Sequence, residues 1–318
     1  MKAIQVTEFG GPEVLVYREV PDPAATKDQF LVEVTHVGVN YADTHQAENS
    51  YLSQTQLPFI PGSEVVGHDS TGATWLGFTT SGGYAQKAVL DSQSAVPLPE
   101  GVSPEAGLAC LVQGLTAWHL IKTSARLQAG ESMLVHAAAG GVGNLLLQLG
   151  RYFKATPIIG TVSSKEKIAE LNSLGFNHII IANPTSLKDE VKALTNGRGA
   201  DTCYEMVGGE LGNVSLTCLA PFGRLVVYGM ASRQPMSDFS PASLMYGSRS
   251  IVGFWLVDLI VNRPAEMAQS LTQLLDLVKT DQITPIVGPQ YRLKDAKQAH
   301  EDLRARKTTG KVTLQVGD

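Results

Sequence analysis

Cysteine is scarce in this sequence and carries no pattern. Cys110, Cys203 and Cys218 are the only three in 318 residues. They are odd in number, far apart and in no C-x-x-C spacing, which argues against a disulfide framework and for buried thiols in a reducing compartment. A basic excess is also missing. Twenty-five Lys and Arg against 30 Asp and Glu leave a net charge of −5, which disfavours a nucleic-acid binder. No run approaches the roughly 18 apolar residues that would cross a bilayer. The start, MKAIQVTEFGG, lacks the apolar stretch of a secretory signal. No internal repeat, low-complexity segment or long polar linker is visible. A cytoplasmic protein with no membrane and no nucleic-acid partner is expected. Hydrophobic residues at 43% and charged residues at 17% are ordinary for a globular chain, long enough here for two domains.

What the sequence does contain is concentrated in Glu131 to Lys154, ESMLVHAAAGGVGNLLLQLGRYFK. Met133 to His136 is a short apolar run suited to a buried strand. Ala137 to Gly143 consists of Ala, Gly and one Val. Leu145, Leu146, Leu147, Leu149 and Tyr152 then form one broad apolar helical face. Strand, small-residue turn and helix in that order make a dinucleotide-binding fingerprint. The G-x-G-x-x-G pattern becomes Ala138-Ala139-Gly140-Gly141-Val142-Gly143, with Ala in the first Gly position. Small residues are needed because a pyrophosphate must reach the backbone N–H groups at the helix N-terminus.

Before this stretch the chain is β-rich and irregular. Strand patterns occur at 2–6, 30–40, 84–90 and 95–98, and 57–67 turns apolar after its prolines. Ser103, Pro104 and Glu105 read as a helix start. From Leu115 the character changes. Strand patterns at 133–136, 157–162, 178–181, 201–207, 224–229 and 250–254 alternate with helical ones at 142–153, 165–174, 186–195 and 210–219. That alternation indicates an α/β fold with a doubly wound, mostly parallel sheet. A helix at 264–279, a strand near Tyr291, a helix at 294–305 and a strand at 311–316 follow. The tail strands can pair back onto the N-terminal region.

The second strand of the unit ends IIGTV and is followed by Ser163-Ser164-Lys165-Glu166-Lys167. An NAD-preferring unit normally carries an acid at this strand end for the ribose 2′-hydroxyl. Hydroxyls and lysines there suit a 2′-phosphate instead, and NADPH is expected over NADH. Ser163 or Ser164 can equally cap the next helix.

The segments GVNYAD (38–43), PFIPGSE (58–64), GGYA (82–85), QGLTAW (113–118), HAAAGGVG (136–143) and TTGKV (308–312) together resemble the zinc-independent medium-chain dehydrogenase/reductases of the NADPH:quinone oxidoreductase, zeta-crystallin-like group. The similarity runs nearly end to end. It implies a GroES-like β-rich catalytic domain, residues 1–116 and 283–318, around a Rossmann NADPH-binding domain, residues 117–282, with the active site in the cleft between them. It also implies a homodimer through the strand near 250–254. Zinc relatives place Cys in the segment matching Val39-Asn40-Tyr41 and Gly-His-Glu where this chain has Gly62-Ser63-Glu64, and they carry a four-cysteine lobe. This chain has Asn40 and Ser63 there and three scattered cysteines; His36, His45, His68 and Glu64 could supply some ligands, but unrelated surface or packing roles suit them better, so no metal is expected.

By the same resemblance, Asn40 and Tyr51 are the candidate catalytic residues, lining the substrate cleft. Asp43 braces the loop, His45 takes a cleft position, and Phe254 approaches the nicotinamide end with Leu256. Gln113 and Thr116 lie near the carboxamide. Ala139, Gly140, Gly141 and Val142 meet the pyrophosphate, and Ser163, Ser164 and Lys167 the adenosine phosphate. Gly208, Gly229 and Met230 border the cofactor, and Lys311 the ribose. The segment between Gly67 and Gly82 is short for the family and lacks its usual G-D-R-V turn. Asn183 stands where some relatives have Tyr near the 2′-phosphate. The implied reaction is hydride transfer to a small electrophile, a quinone or a conjugated carbonyl. Two rivals stay open. Gly253-Phe254-Trp255-Leu256 and Tyr51 also match enoyl-thioester or alkenal reductases, whose reaction needs a proton donor. A weakly active NADPH-binding protein is the other.

Overall fold

The computed structural model describes residues 1–317. It opens with β1 (Lys2–Gln5), β2 (Val16–Glu19), β3 (Gln29–Val39) and α1 (Tyr41–Ala47). β4 (Glu64–His68), β5 (Thr74–Phe78), β6 (Lys87–Asp91) and β7 (Val96–Pro97) follow. A helical run starts with α2 (Pro104–Leu108), capped by the Ser103 hydroxyl, and widens to π winding over Ala109–Gly114. It continues as α3 (Leu115–His119) and widens again over Leu120–Ala125. Next come β8 (Met133–Val135), α4 (Gly141–Tyr152), β9 (Ile158–Val162), α5 (Lys165–Ser173), β10 (Ile179–Ile181), α6 (Leu187–Leu194), β11 (Ala200–Glu205), α7 (Gly209–Thr217), β12 (Leu219–Val227) and β13 (Ser250–Gly253). The chain ends with α8 (Leu256–Asn262), α9 (Pro264–Lys279), β14 (Val287–Arg292), α10 (Ala296–Arg304) and β15 (Lys311–Gln315).

Two compact units result. The first is Met1–Gly114 with the chain from Pro264 onward, the second Leu115–Arg263. The boundary expected at 283 is thus displaced, and α9 stands with the first unit. Its apolar stripe, including Met267, Leu271 and Leu274, is buried, and it packs on the π-wound 109–114 segment. Helical periodicity shows that such a stripe will be buried but not against what.

The second unit holds a six-stranded sheet in the order β10-β9-β8-β11-β12-β13, every pairing parallel. This is the doubly wound order expected from the alternation. Leu134, Ile159, Val191, Cys203 and Leu225 form its core on one face. β12 begins earlier than its sequence pattern suggested, with a register shift against β11 between Ala200 and Thr202.

The first unit is mainly antiparallel around the long β3, which pairs with β15, β4 and β6. The C-terminal tail does pair back. Val312 faces Val39 and Gln315 faces His36. Ile4, Val32, Val37, Val65, Tyr84, Leu90 and Leu314 lie in this unit's core. The strand expected at 84–90 begins only at Lys87, because Tyr84 to Gln86 bond to Ile4, Lys2 and Pro61 instead.

Candidate active site

In the second unit, buried β8 runs into the turn His136–Gly140, and α4 begins at Gly141 with Gly140 as its N-cap. Ala138 N–H bonds to Thr161 O (2.9 Å) and Gly140 N–H to Ala137 O (2.8 Å), which fold the turn back on itself. A methyl at Gly143 would overlap the Ala137 carbonyl and the Ala138 backbone. Helix and turn can therefore approach this closely only with Gly at that position. The first bond of the helix is Asn144 N–H to Gly140 O, so the N–H groups of Gly141, Val142 and Gly143 precede its ladder. Asn144 Nδ2 donates to the carbonyls of Gly140 and Gly141, at 2.8 Å each. Sequence reasoning passed over Asn144, although a polar residue inside an apolar helical face was the signal.

The strand ends carry the other expected residues of this unit. Ser163 follows β9, Ser164 is the N-cap of α5, and Lys167 is in its first turn. The Glu166 carboxylate is held below the usual carboxylate range by its own backbone N–H and then by the Ser164 hydroxyl. Glu205 closes β11, and its Oε1 accepts from Val207 N–H (2.6 Å) and Gly208 N–H (2.9 Å). Gly229 and Met230 follow β12. Phe254 follows β13, donates its N–H to Val227 O (3.0 Å), and stacks on His119 with ring centroids 6.4 Å apart. Leu256 opens α8, and Thr116 is buried in α3.

His136 is a buried structural group. Ser215 Oγ donates to Leu211 O (2.6 Å), so His136 Nε2 must donate to Ser215 Oγ (2.7 Å). Its Nδ1 then accepts from Thr161 Oγ1 (2.9 Å). Burial pushes this imidazole down to about 4.

The first unit's expected residues gather around Asn40, the N-cap of α1. Antiparallel pairing of β15 with the end of β3 brings Lys311 beside Asn40, and pairing of β3 with β4 brings Glu64 opposite Gly38. A methyl at Gly38 would collide with the Glu64 carboxylate. Asn40 Nδ2 donates to Glu64 Oε1 (2.7 Å), and its Oδ1 accepts from Lys311 Nζ (3.0 Å). Lys311 Nζ also pairs with Glu64 Oε1, both side chains being 0% exposed. Glu64 Oε2 accepts from Val112 N–H (2.9 Å).

Lys311, expected by the cofactor ribose, is fully buried in this structure, with its ammonium paired to the Glu64 carboxylate. Asp43 Oδ2 accepts from Asn40 N–H (2.8 Å) and from Tyr84 Oη (3.0 Å). Burial raises Asp43 to about 6 against its own hydrogen bonds. His45 is buried, with Nδ1 on Ser50 Oγ (2.8 Å). Tyr51 lies partly exposed in the bend beyond α1. Gln113 is buried in the π-wound segment, and its Oε1 has no hydrogen-bond partner among the described residues. Glu64, Tyr84 and His300 were missed as parts of this arrangement. Glu64 and Tyr84 were visible only inside the segments 58–64 and 82–85, and nothing local marks His300.

Over 315 residues the chain is 32% identical to quinone oxidoreductase of Rattus norvegicus, covering 95% of this chain and 94% of that protein. This chain belongs to the quinone oxidoreductases of the medium-chain dehydrogenase/reductase family. Within this family, the solved Thermus thermophilus quinone oxidoreductase, described with its NADPH complex, is 32% identical with a TM-score of 0.88, over 99% of this chain and 100% of that one. Escherichia coli quinone oxidoreductase, solved with NADPH, is 28% identical with a TM-score of 0.90 over the same shares. Residues 141–277 match a family model described as zinc-binding dehydrogenase. Among the described residues of this quinone oxidoreductase relative, no group of three or more His, Cys, Asp and Glu could hold a metal.

Proposed function

We propose that this protein is an NADPH-dependent, zinc-independent reductase of quinones or conjugated carbonyls. The observation that carries the reading is the pairing of Lys311 with Asn40 and Glu64. In zinc relatives the corresponding segments supply metal ligands. Here an ammonium ion already neutralises the carboxylate, and a dication beside it would be repelled.

The second unit fits the cofactor. The turn closed by Gly143 leaves the N–H groups of Gly141, Val142 and Gly143 for a pyrophosphate, with Ala139 and Gly140 giving it room. Ser163 and Lys167 follow a strand end without an acid in the ribose-binding place, which suits a 2′-phosphate. Gly208, Gly229, Met230, Phe254 and Leu256 follow the C-terminal ends of parallel strands, where this fold binds dinucleotides. Gln113 Oε1 offers an acceptor to a carboxamide, with Thr116 its neutral companion. When bound, NADPH supplies the hydride. Asn40 Oδ1 accepts from Lys311 Nζ and from the Asp43 backbone N–H, while Nδ2 keeps one N–H beyond its bond to Glu64, and that N–H orients an acceptor carbonyl. Quinone reduction asks no strong acid of the protein, because solvent protonates the product.

A second reading is supported by Tyr51, whose partly exposed phenol follows the helix that carries Asn40, Asp43 and His45. Reduction of an enoyl thioester or alkenal would use it as proton donor. The deciding measurement is NADPH oxidation with an ortho-quinone and, in parallel, with a short 2-enoyl thioester, in wild type and Tyr51→Phe. Quinone turnover that survives the substitution supports the first reading. Thioester turnover that collapses with it supports the second. Turnover with neither sinks both and leaves a cofactor binder.

We also assign it to the cytoplasm as a homodimer. β13 is a sheet-edge strand, and Met245 and Tyr246 just before it are 79% and 84% exposed. An unpaired edge beside apolar surface favours pairing with a second copy.

A further inference from the structure

Resting on the proposed role of Asn40, we propose that Tyr84 and His300 are positioning residues, fixing the first turn of α1 through Asp43 and so setting where Asn40 points. His300 lies on the buried face of α10, beside Ala296 and Ala299. Its Nε2 is 3.0 Å from Tyr84 Oη, and the two rings meet edge to face with centroids 5.7 Å apart. Tyr84 Oη donates to Asp43 Oδ2, which also accepts the Asn40 N–H. The hydroxyl has one proton, donated to Asp43, so His300 Nε2 must donate to the Tyr84 oxygen. Burial, then Arg304, pushes His300 down to about 4, so it is a neutral donor in one tautomer. Burial and then Asp43 raise Tyr84 well above its ordinary value, so it stays a phenol.

Each link has a direction, and the donors converge on Asp43 Oδ2, which accepts from both Tyr84 Oη and the Asn40 backbone N–H. Asn40 is thus held twice. Its amide side chain is fixed by Glu64, Lys311 and the Asp43 backbone N–H, and its backbone N–H by the Asp43 carboxylate that Tyr84 and His300 hold. The side chain caps the first turn of α1, so where it points depends on how that turn is held. The groups facing Asp43 are Asn40, Tyr84, Lys311 and Glu64, with His300 behind Tyr84. Asn40 is the member of this set that meets the acceptor carbonyl, and the others act through it.

The test compares Tyr84→Phe, His300→Leu and His300→Gln in the full-length protein. Gln keeps an N–H donor near the imidazole Nε2 position. Two readouts are taken: hydrogen exchange of the Asn40 amide without cofactor, and steady-state kinetics with an ortho-quinone at saturating NADPH. Tyr84→Phe and His300→Leu should each lower Asn40 protection and kcat/KM about tenfold, the equivalent of one hydrogen bond. NADPH affinity should be unchanged, and His300→Gln should recover most of the loss. Asn40 protection and kcat/KM within about twofold of wild type in Tyr84→Phe and His300→Leu would overturn the proposal. So would protection lost evenly across the first unit with no recovery in His300→Gln, which is the mark of packing alone. If wild type turns over no quinone, the functional reading fails by itself. The Asn40 amide then still decides whether the relay positions α1.

Discussion

In the second unit the turn after β8 is shaped by side chains that are missing. In the first, the surroundings of Asn40 are shaped by side chains that are present. Gly143 matters because nothing larger fits against Ala137 and Ala138. Asn40 matters because Glu64, Lys311 and Asp43 take up its polar groups one by one. The first construction leaves the N–H groups of Gly141, Val142 and Gly143 outside the helix's own hydrogen-bond ladder. The second encloses charges and leaves almost nothing unsatisfied. A site made of backbone tolerates change everywhere except where a side chain would intrude. A site made of buried ionic partners tolerates no single loss, because each deletion strands the partner.

The largest effect expected of that difference is at Lys311. Lys311→Met leaves Glu64 in the interior without its counter-ion, and should cost about 3–5 kcal/mol of unfolding free energy in urea titrations. Adding Glu64→Gln should recover most of it. A single variant as stable as wild type would show that the pair does not anchor the first unit.

Acid should separate the two units next. His136 and His300 are each held down to about 4 from 6.5. The unfolded chain therefore binds more protons between those values, and stability falls as pH drops from 6.5 towards 4, by about 3 kcal/mol per histidine. Asp43 has the opposite sign. Raised from 3.8 to about 6, it favours the fold progressively as pH falls through that range. In the first unit the two slopes oppose each other. In the second, the hydrogen-bond partners of His136 are the hydroxyls of Thr161 and Ser215, which do not titrate in this range. His136→Gln should flatten the acid dependence of the urea midpoint, and Asp43→Asn should steepen it.

Gly143→Ala should weaken NADPH binding by about 2–3 kcal/mol in fluorescence titration, the scale of overpacking at a tight backbone contact. Its effect on folding should be smaller than that of Lys311→Met. The smallest change is at Lys167. Lys167→Ala should lower NADPH affinity about tenfold while leaving NADH affinity unchanged, the loss of one charged contact. Equal loss for both cofactors would remove Lys167 from the 2′-phosphate.

Much of the second unit was legible because its signals are local. Strand, small-residue turn and helix follow one another within Glu131–Lys154, and the parallel alternation repeats that unit. The hydroxyls after β9 and the missing acid could be read from a few adjacent residues. The π winding at 109–114 and 120–125 was not legible, since a widened turn leaves no distinct period over so few residues. The placement of α9 was not legible either.

The chain by itself determined the class of fold, the dinucleotide turn and the family, because each rests on neighbours in sequence or on a full-length pattern of segments. Only the tertiary structure decided what surrounds Asn40. Glu64, Tyr84, His300 and Lys311 come from β4, the loop before β6, α10 and β15, and they meet because strand register and helix packing bring them together. A buried charge cannot stand without a partner, so its meaning depends on which distant group the fold delivers to it. That is why the sequence alone does not show Lys311 as the internal counter-ion it is in the fold.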